Sequence, residues 1–275
     1  MKIWALVVDT WREALARYTL LGFFVVSTLF LLVLAFALNL DIANGTLAAG
    51  SLFGQAFDVP GGTPIETVVT TGESAFAAML YGLGIFLAVF ATGSQVPNLV
   101  HRGTVDLYLS RPVSRPLLLL GRFVGAVTLV LANLAFLCGG VFLIVSLKTG
   151  VWNPRLLAAG GMIALVFCSY LGFMYLIGVL SGSTPLSIML PYAIYVLAMP
   201  LAAHEHIAAA VDSRLAAWCV HGLYWLLPKS AELGKDVVQL VMGKGELSLA
   251  ALATTLAFGL GCLGAAAAIF QRKSY

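Results

Sequence analysis

The sequence predicts an all-α membrane protein with six transmembrane helices, and three observations carry that expectation. Of its 275 residues 61% are hydrophobic and 10% charged, where soluble domains run near about 25% charged, and the mean hydropathy is +0.99. So few charges cannot coat a water-soluble core of this size. Six stretches of about 18 or more apolar residues follow one another, each long enough at a 1.5 Å rise to cross the hydrocarbon. Finally, Lys and Arg are shared unevenly between alternate connecting segments, as the positive-inside rule requires.

The elements follow in order. Residues 1–17 place Trp4, Val8, Trp11 and Leu15 on one helical face, with Asp9, Arg12, Glu13 and Arg17 elsewhere on the wheel. This predicts an N-terminal interfacial amphipathic helix lying flat on the membrane. It does not read as a cleaved signal, because the apolar run behind it is too long and no small-residue cleavage site follows. The six spans are read at Tyr18–Leu40, Ser74–Val96, Leu117–Leu147, Leu156–Leu180, Leu186–Ala203 and Leu247–Phe270. The third is longer than a crossing needs and should tilt or project. The fifth is short and carries Pro191 and Pro200, with Pro185 just before it. Within these runs only Arg122 is ionisable, close enough to its helix end to reach the interface.

Two connecting segments are long. Residues 41–73, rich in Gly and Thr around "VPGGTP", read as an irregular outside loop. Residues 204–246 mix "LAAWCVHGLYWLL" with "PKSAELGKDVVQLV" and read as one or two interfacial or partly re-entrant helices, tethered by Pro228 and Gly243. One face of the membrane collects Lys2, Arg12, Arg17, Arg102, Arg111, Arg115, Arg122, Arg272 and Lys273 against three acids. The other collects six cations against nine acids, and 41–74 has no Lys or Arg. Both termini are therefore expected in the cytoplasm, N-in and C-in.

Several chemistries lack their signatures. No GxxxxGK[ST] phosphate cradle occurs, nor HExxH, GxSxG or CxxCH. The four Cys have no paired spacing. No carboxylate, Lys or His is read near the bilayer centre, so an ion relay is poorly supported. His204-Glu205-His206, with His221, could offer metal ligands, but a polar helix end at the interface is the favoured reading. Gly121/Gly125 and Gly178/Gly182 allow close helix approach, and packing within the bundle is preferred to a subunit interface. Asn39, Asn133, Ser169, Tyr170, Tyr175, Tyr192 and Tyr195 are read mainly as interhelical hydrogen-bonding groups.

The segment 97–122, "PNLVHRGTVDLYLSRPVSRPLLLLGR", is unusually polar and punctuated. From Pro97, residues Leu99, Val100, Gly103 and Leu107 fall on one helical side, with Asn98, Arg102 and Asp106 on another and His101 beside them. That predicts a short amphipathic helix on the cytoplasmic surface between spans two and three. "SRPVSRP" then forces an extended break, since a residue before Pro avoids the helical region. Ser114 is placed to cap the next helix, with Pro116 in its first turn. Arg111 and Arg115 could alternatively pin the loop to anionic lipid.

On these residues the chain resembles the type-2 permeases of ATP-binding-cassette (ABC) transporters, a family that includes the nitrous-oxide-reductase maturation permeases. Gly103, Thr104, Leu107, Leu109, Pro112, Ser114, Arg115, Gly121 and Arg122 match its motif after the second span. "LYWLLPKSAEL" is similar to its apolar-Pro motif before the last span. Where that family often has acidic residues before Gly-Thr, this chain has "VHR". The resemblance implies a single permease domain in the bacterial inner membrane, not an enzyme, transporting outward with energy from a separate ABC ATPase. ATP and Mg would be bound by that partner, and no cofactor by this chain. Leu99, Val100, His101, Arg102, Gly103, Thr104, Asp106 and Leu107 would contact the ATPase; Arg111, Pro112, Ser114, Arg115, Gly121 and Arg122 would form the loop and helix start behind them. A second permease subunit (the same or different), membrane lipid and a periplasmic accessory protein are the further partners implied, and nucleic acid is not. A stand-alone secondary transporter or channel is the alternative, and a membrane anchor or enzyme a third.

Overall fold

The computed structural model describes residues 2–16, 18–43, 46–52, 55–56, 64–93, 95–100, 114–210, 214–245 and 247–272. Helix α1 (Lys2–Ala16) gives way to α2 (Thr19–Ala37) through Tyr18, whose φ of 59° is left-handed, and the two helices meet at 71°. Beyond α2 lie three short antiparallel strands, β1 (Leu38–Ala43), β2 (Thr46–Leu52) and β3 (Gln55–Ala56), in the order β1-β2-β3. This corrects the irregular loop expected over 41–73. Leu38 pairs with Leu52 and Ala43 with Thr46, and the sequence between those paired ends is Asn44-Gly45, the strongest short hairpin signal a sequence can carry.

Helix α3 (Ile65–Met79) continues through a π-helical turn, Leu80–Gly84, into α4 (Ile85–Thr92), and α5 (Gln95–Val100) follows. The second span therefore begins at Ile65 and not at Ser74. Glu73, expected in the outside loop, lies inside a helix and is buried. The missed signal was Ile65, Val69, Phe76 and Ala77, an apolar stripe at helical spacing that Glu73 interrupts.

Helix α6 (Arg115–Thr149) starts behind Ser114, which is extended and has Pro116 in the turn after it, though its hydroxyl makes no capping bond. It ends on Gly150, and α7 (Arg155–Ser181) on Gly182, at φ 74° and 60°, where a Cβ would be strained. Gly182 is thus a cap and not a packing glycine. After α8 (Thr184–Leu201), the segment read as one or two helices holds three: α9 (His204–Ala210), α10 (Arg214–Leu226) and α11 (Ser230–Met242). The last is α12 (Leu249–Arg272).

Five helical stretches, 65–97, 115–149, 155–181, 184–201 and 249–272, are long and apolar enough to cross a membrane, and the bent α1–α2 pair makes up to six. The chain is a multi-pass helical membrane protein with one small sheet. Helix α7 is its centre, packed against α12 most extensively and then against α6, α8 and α11. The α7–α12 seam is closed by glycine: a Cβ on Gly172 would lie 2.3 Å from the Gly259 carbonyl oxygen, and one on Gly259 2.3 Å from Ser169 Cα. Small residues let backbones meet this closely in lipid, where no hydrophobic drive operates between helices.

Candidate functional site

The stretch singled out by sequence emerges from one end of the bundle, and its two flanks are held there. Upstream, α5 is bound to α7 and α8. Val96 is buried against Gly178, and the Tyr175 phenol reaches Gln95 Oε1 at 3.5 Å. Leu99 and Val100 belong to α5. His101, Arg102, Gly103, Thr104, Asp106, Leu107, Arg111 and Pro112 lie outside the described residues. Downstream, α6 is clasped by α1. Leu6 and Thr10 of α1 fill the notches at Gly121 and Gly125, where an added Cβ would stand 2.4 Å and 2.6 Å from them. Trp11 Nε1 donates to Thr128 Oγ1 at 3.1 Å.

Arg122 closes this joint. Its guanidinium donates to Asp9 Oδ2 at 2.9 Å and to Glu13 Oε2, and its side chain is 6% exposed against 44% and 30% for the two acids. Arg122 turns its guanidinium onto an acidic pair of α1 one helical turn apart. Removing either acid leaves this buried cation its second carboxylate, and both acids are partly solvated, so the loss should be smaller than for a fully buried pair. The face of α1 that packs is Leu6, Val7, Thr10 and Ala14, while Trp4 and Leu15 remain exposed. The stripe read from sequence is divided: Trp11 is half-buried against the core and bonded to Thr128, while Trp4 and Leu15 are exposed. Both stripes are apolar, and only the glycines across from Leu6 and Thr10 distinguish them.

The other end holds a polar centre that sequence did not assemble. Helix α11 is wedged between α3 and α7 with Leu233, Val237 and Val241 fully buried. Its start is deep: Tyr81 Oη donates to the Ser230 carbonyl at 2.6 Å, and the Tyr170 and Ser230 hydroxyls bond to each other. Tyr170 lies fifteen residues into α7, about 22 Å along it at 1.5 Å per residue. The Lys229 amide donates to Thr255 Oγ1 at 3.1 Å, and Asp236 Oδ2 accepts the Ser248 amide at 3.0 Å. Asn153 Nδ2 donates both to the Val241 carbonyl, at 3.1 Å, and to Glu73 Oε2, at 2.8 Å. Glu73 Oε1 is buried with no hydrogen-bond partner among the described residues.

His204 lies among aromatic rings. Its ring stacks on Tyr224 at 3.6 Å and stands edge-on to His221 at 5.2 Å, and no group of three His, Cys, Asp or Glu side chains converges among the described residues. Tyr224 donates to Glu232 Oε1 at 2.6 Å. Burial, and then this carboxylate, raise its phenol above the usual range. Lys229 Nζ lies over the Tyr224 and Trp225 rings at 4.3 Å and 4.1 Å.

Of the interhelical polar groups, Ser27 donates to Asn133 Oδ1 at 3.0 Å and Tyr192 to the Phe86 carbonyl, whereas Ser169 bonds within its own helix. No family model matches the chain, and no curated protein is detectably similar to it.

Proposed function

We propose that this protein is the membrane-spanning permease subunit of an ABC transporter. It works beside a second permease subunit in a bacterial inner membrane, and a separate ATPase supplies the energy. The observation that carries the reading is the run Gly103-Thr104, Leu107, Pro112, Ser114-Arg115, Gly121-Arg122, in a chain without a phosphate cradle of its own. The anchoring of its flanks supports it. A push on 97–115 is received by α5, which bears on Gly178 of α7, and by α6, whose Arg122 is locked to α1. A partner bearing on these flanks would act on α5, α6, α7 and α1 together. A partner shifts the packing of the spans only by binding two arrangements of this end with different affinity. ATP-driven closure of an ATPase pair supplies that difference.

The test is co-purification. The tagged chain should carry an ABC ATPase out of its own membranes, and Gly103→Glu or Leu107→Glu should abolish that association while the protein still inserts. Unchanged co-purification would remove the docking segment. Buried Glu73 favours a second reading, a stand-alone transporter coupled to an ion. Uphill transport in liposomes driven by an ion gradient, with no ATPase present, would select it.

A further inference from the structure

Between α2 and α3, with α6 as its floor, runs an apolar groove made of two cavities of about 420 Å³ and 370 Å³ that share Phe30 and Phe76. It extends along α2 from Gly22 to Leu34, about 18 Å at 1.5 Å per residue, which is the depth of one leaflet of a roughly 30 Å hydrocarbon core. Among the described residues no Lys or Arg lines it. Its mid-length polar groups, Ser27 and Asn133, satisfy each other.

Glu73 stands in the wall of the outer cavity. Its side chain is 2% exposed, one oxygen accepts from Asn153, and the other has no partner among the described residues. A buried carboxylate is stable when a cation or several donors satisfy it. Measured along the 65–97 stretch as one helix, Glu73 lies about 36 Å from Pro97, more than the roughly 30 Å of a hydrocarbon core, so the two need not both be in the hydrocarbon. A slot for a chain thus ends beside an unsatisfied carboxylate that this length leaves free to sit at head-group depth.

We propose that this groove is a lipid site: it takes one acyl chain of phosphatidylethanolamine, whose ammonium donates to Glu73. An ammonium brings three donors and a compact charge to the unpartnered oxygen, which a turn of the Glu73 side chain toward the cavity must first uncover. An anionic head group would be repelled by the Glu73 carboxylate, and the ammonium of Lys148 at the rim of the same cavity is already engaged by the Leu38 carbonyl. The site requires only that the chain spans the membrane and stands apart from the transport reading.

The experiment exchanges the purified full-length protein into detergent containing equal phosphatidylethanolamine, N-acetylated phosphatidylethanolamine and phosphatidylglycerol, and counts retained lipid by native mass spectrometry. The free-amine lipid should be retained over the other two by about tenfold or more, the ratio one charge-assisted hydrogen bond supports. Glu73→Gln should erase the preference. Gly72→Phe should lower retention of all three, since Gly72 lines the outer cavity and an added Cβ there meets nothing within 4 Å, so the fold tolerates the change. Equal retention of the three lipids by the unaltered protein overturns the proposal, whatever the variants do. So does retention that both variants leave unchanged, and so does a lipid-free protein that cross-links to a second copy through Leu83→Cys in the groove.

Discussion

Helices α7 and α2 are both long and apolar, yet the molecule treats them oppositely. In α7 67% of the span-forming window is buried, and Phe167, Tyr170, Leu171, Met174 and Tyr175 are sealed on every side. Among the described side chains of α2 burial is confined to Ser27 and Leu31, while Val26, Leu29 and Phe36 stay 61%, 56% and 80% exposed. Greasiness does not separate them; small residues do. Helix α7 carries Gly160, Gly172 and Gly178, each against a neighbour that a Cβ would strike, whereas a Cβ on Gly22 of α2 would meet nothing within 4 Å. Lipid tails solvate Leu and Phe as well as a protein core does, so a span is drawn inward by what lets backbones approach and hydrogen bonds form.

The comparison breaks most directly at the α7–α12 seam. Gly172→Leu forces a side chain into the Gly259 backbone and should cost more than about 4 kcal/mol, seen as loss of a cooperative melt in detergent. Gly22→Leu in α2 should shift the same melt little. If both variants melt alike, glycine contact is not what orders this bundle.

A truncation pair sharpens it. Leu171→Ala, at a site with 0% exposure, should destabilise by about 2–5 kcal/mol through the cavity it leaves. Leu29→Ala, facing lipid, should stay within about 0.5 kcal/mol. Equal losses in reversible unfolding would mean that a partner covers α2.

What the sequence disclosed follows the same division. The five long spans and the start of α6 at "SRP" were legible, because length, apolarity and proline are local signals. So was the close approach at Gly121 and Gly125, although its partner proved to be α1 and not another span. Glu73 was missed because a charge at the edge of an apolar run looks like a boundary. Only Asn153 and Val241, distant in the chain, show it to be interior. The pairing of Arg122 with α1 was hidden for a related reason: Asp9 and Glu13 read equally well as the wet face of a surface helix until the glycines opposite decide which face docks. The sheet at 38–56 was hidden by glycines that resemble loop composition, although Asn44-Gly45 marks a hairpin. Residues 101–113, on which the transport reading leans most, lie outside the described residues, so their part rests on sequence alone.

The smallest effect probes polar attachment. Tyr170→Phe removes the phenol that bonds Ser230, and Ser27→Ala removes the hydroxyl that bonds Asn133; each deletes one hydroxyl and leaves the apolar packing in place. Interhelical hydrogen bonds in membranes average about 0.6 kcal/mol, so neither change should unfold the protein. The consequences should still differ. Ser230 also receives Tyr81 at its carbonyl and begins a helix held on both sides by spans, so losing the Tyr170 bond should speed amide exchange over 231–236. Helix α2 has the Ser27 bond as its polar tie to α6 among the described side chains, but a bond facing an open groove is replaced easily when Asn133 turns. Its loss should leave exchange across the bundle unchanged and alter only the mobility of α2 itself. Faster exchange in α11 after Ser27→Ala would show that the two regions are coupled, and the contrast between a fixed centre and a loosely attached flank would fall.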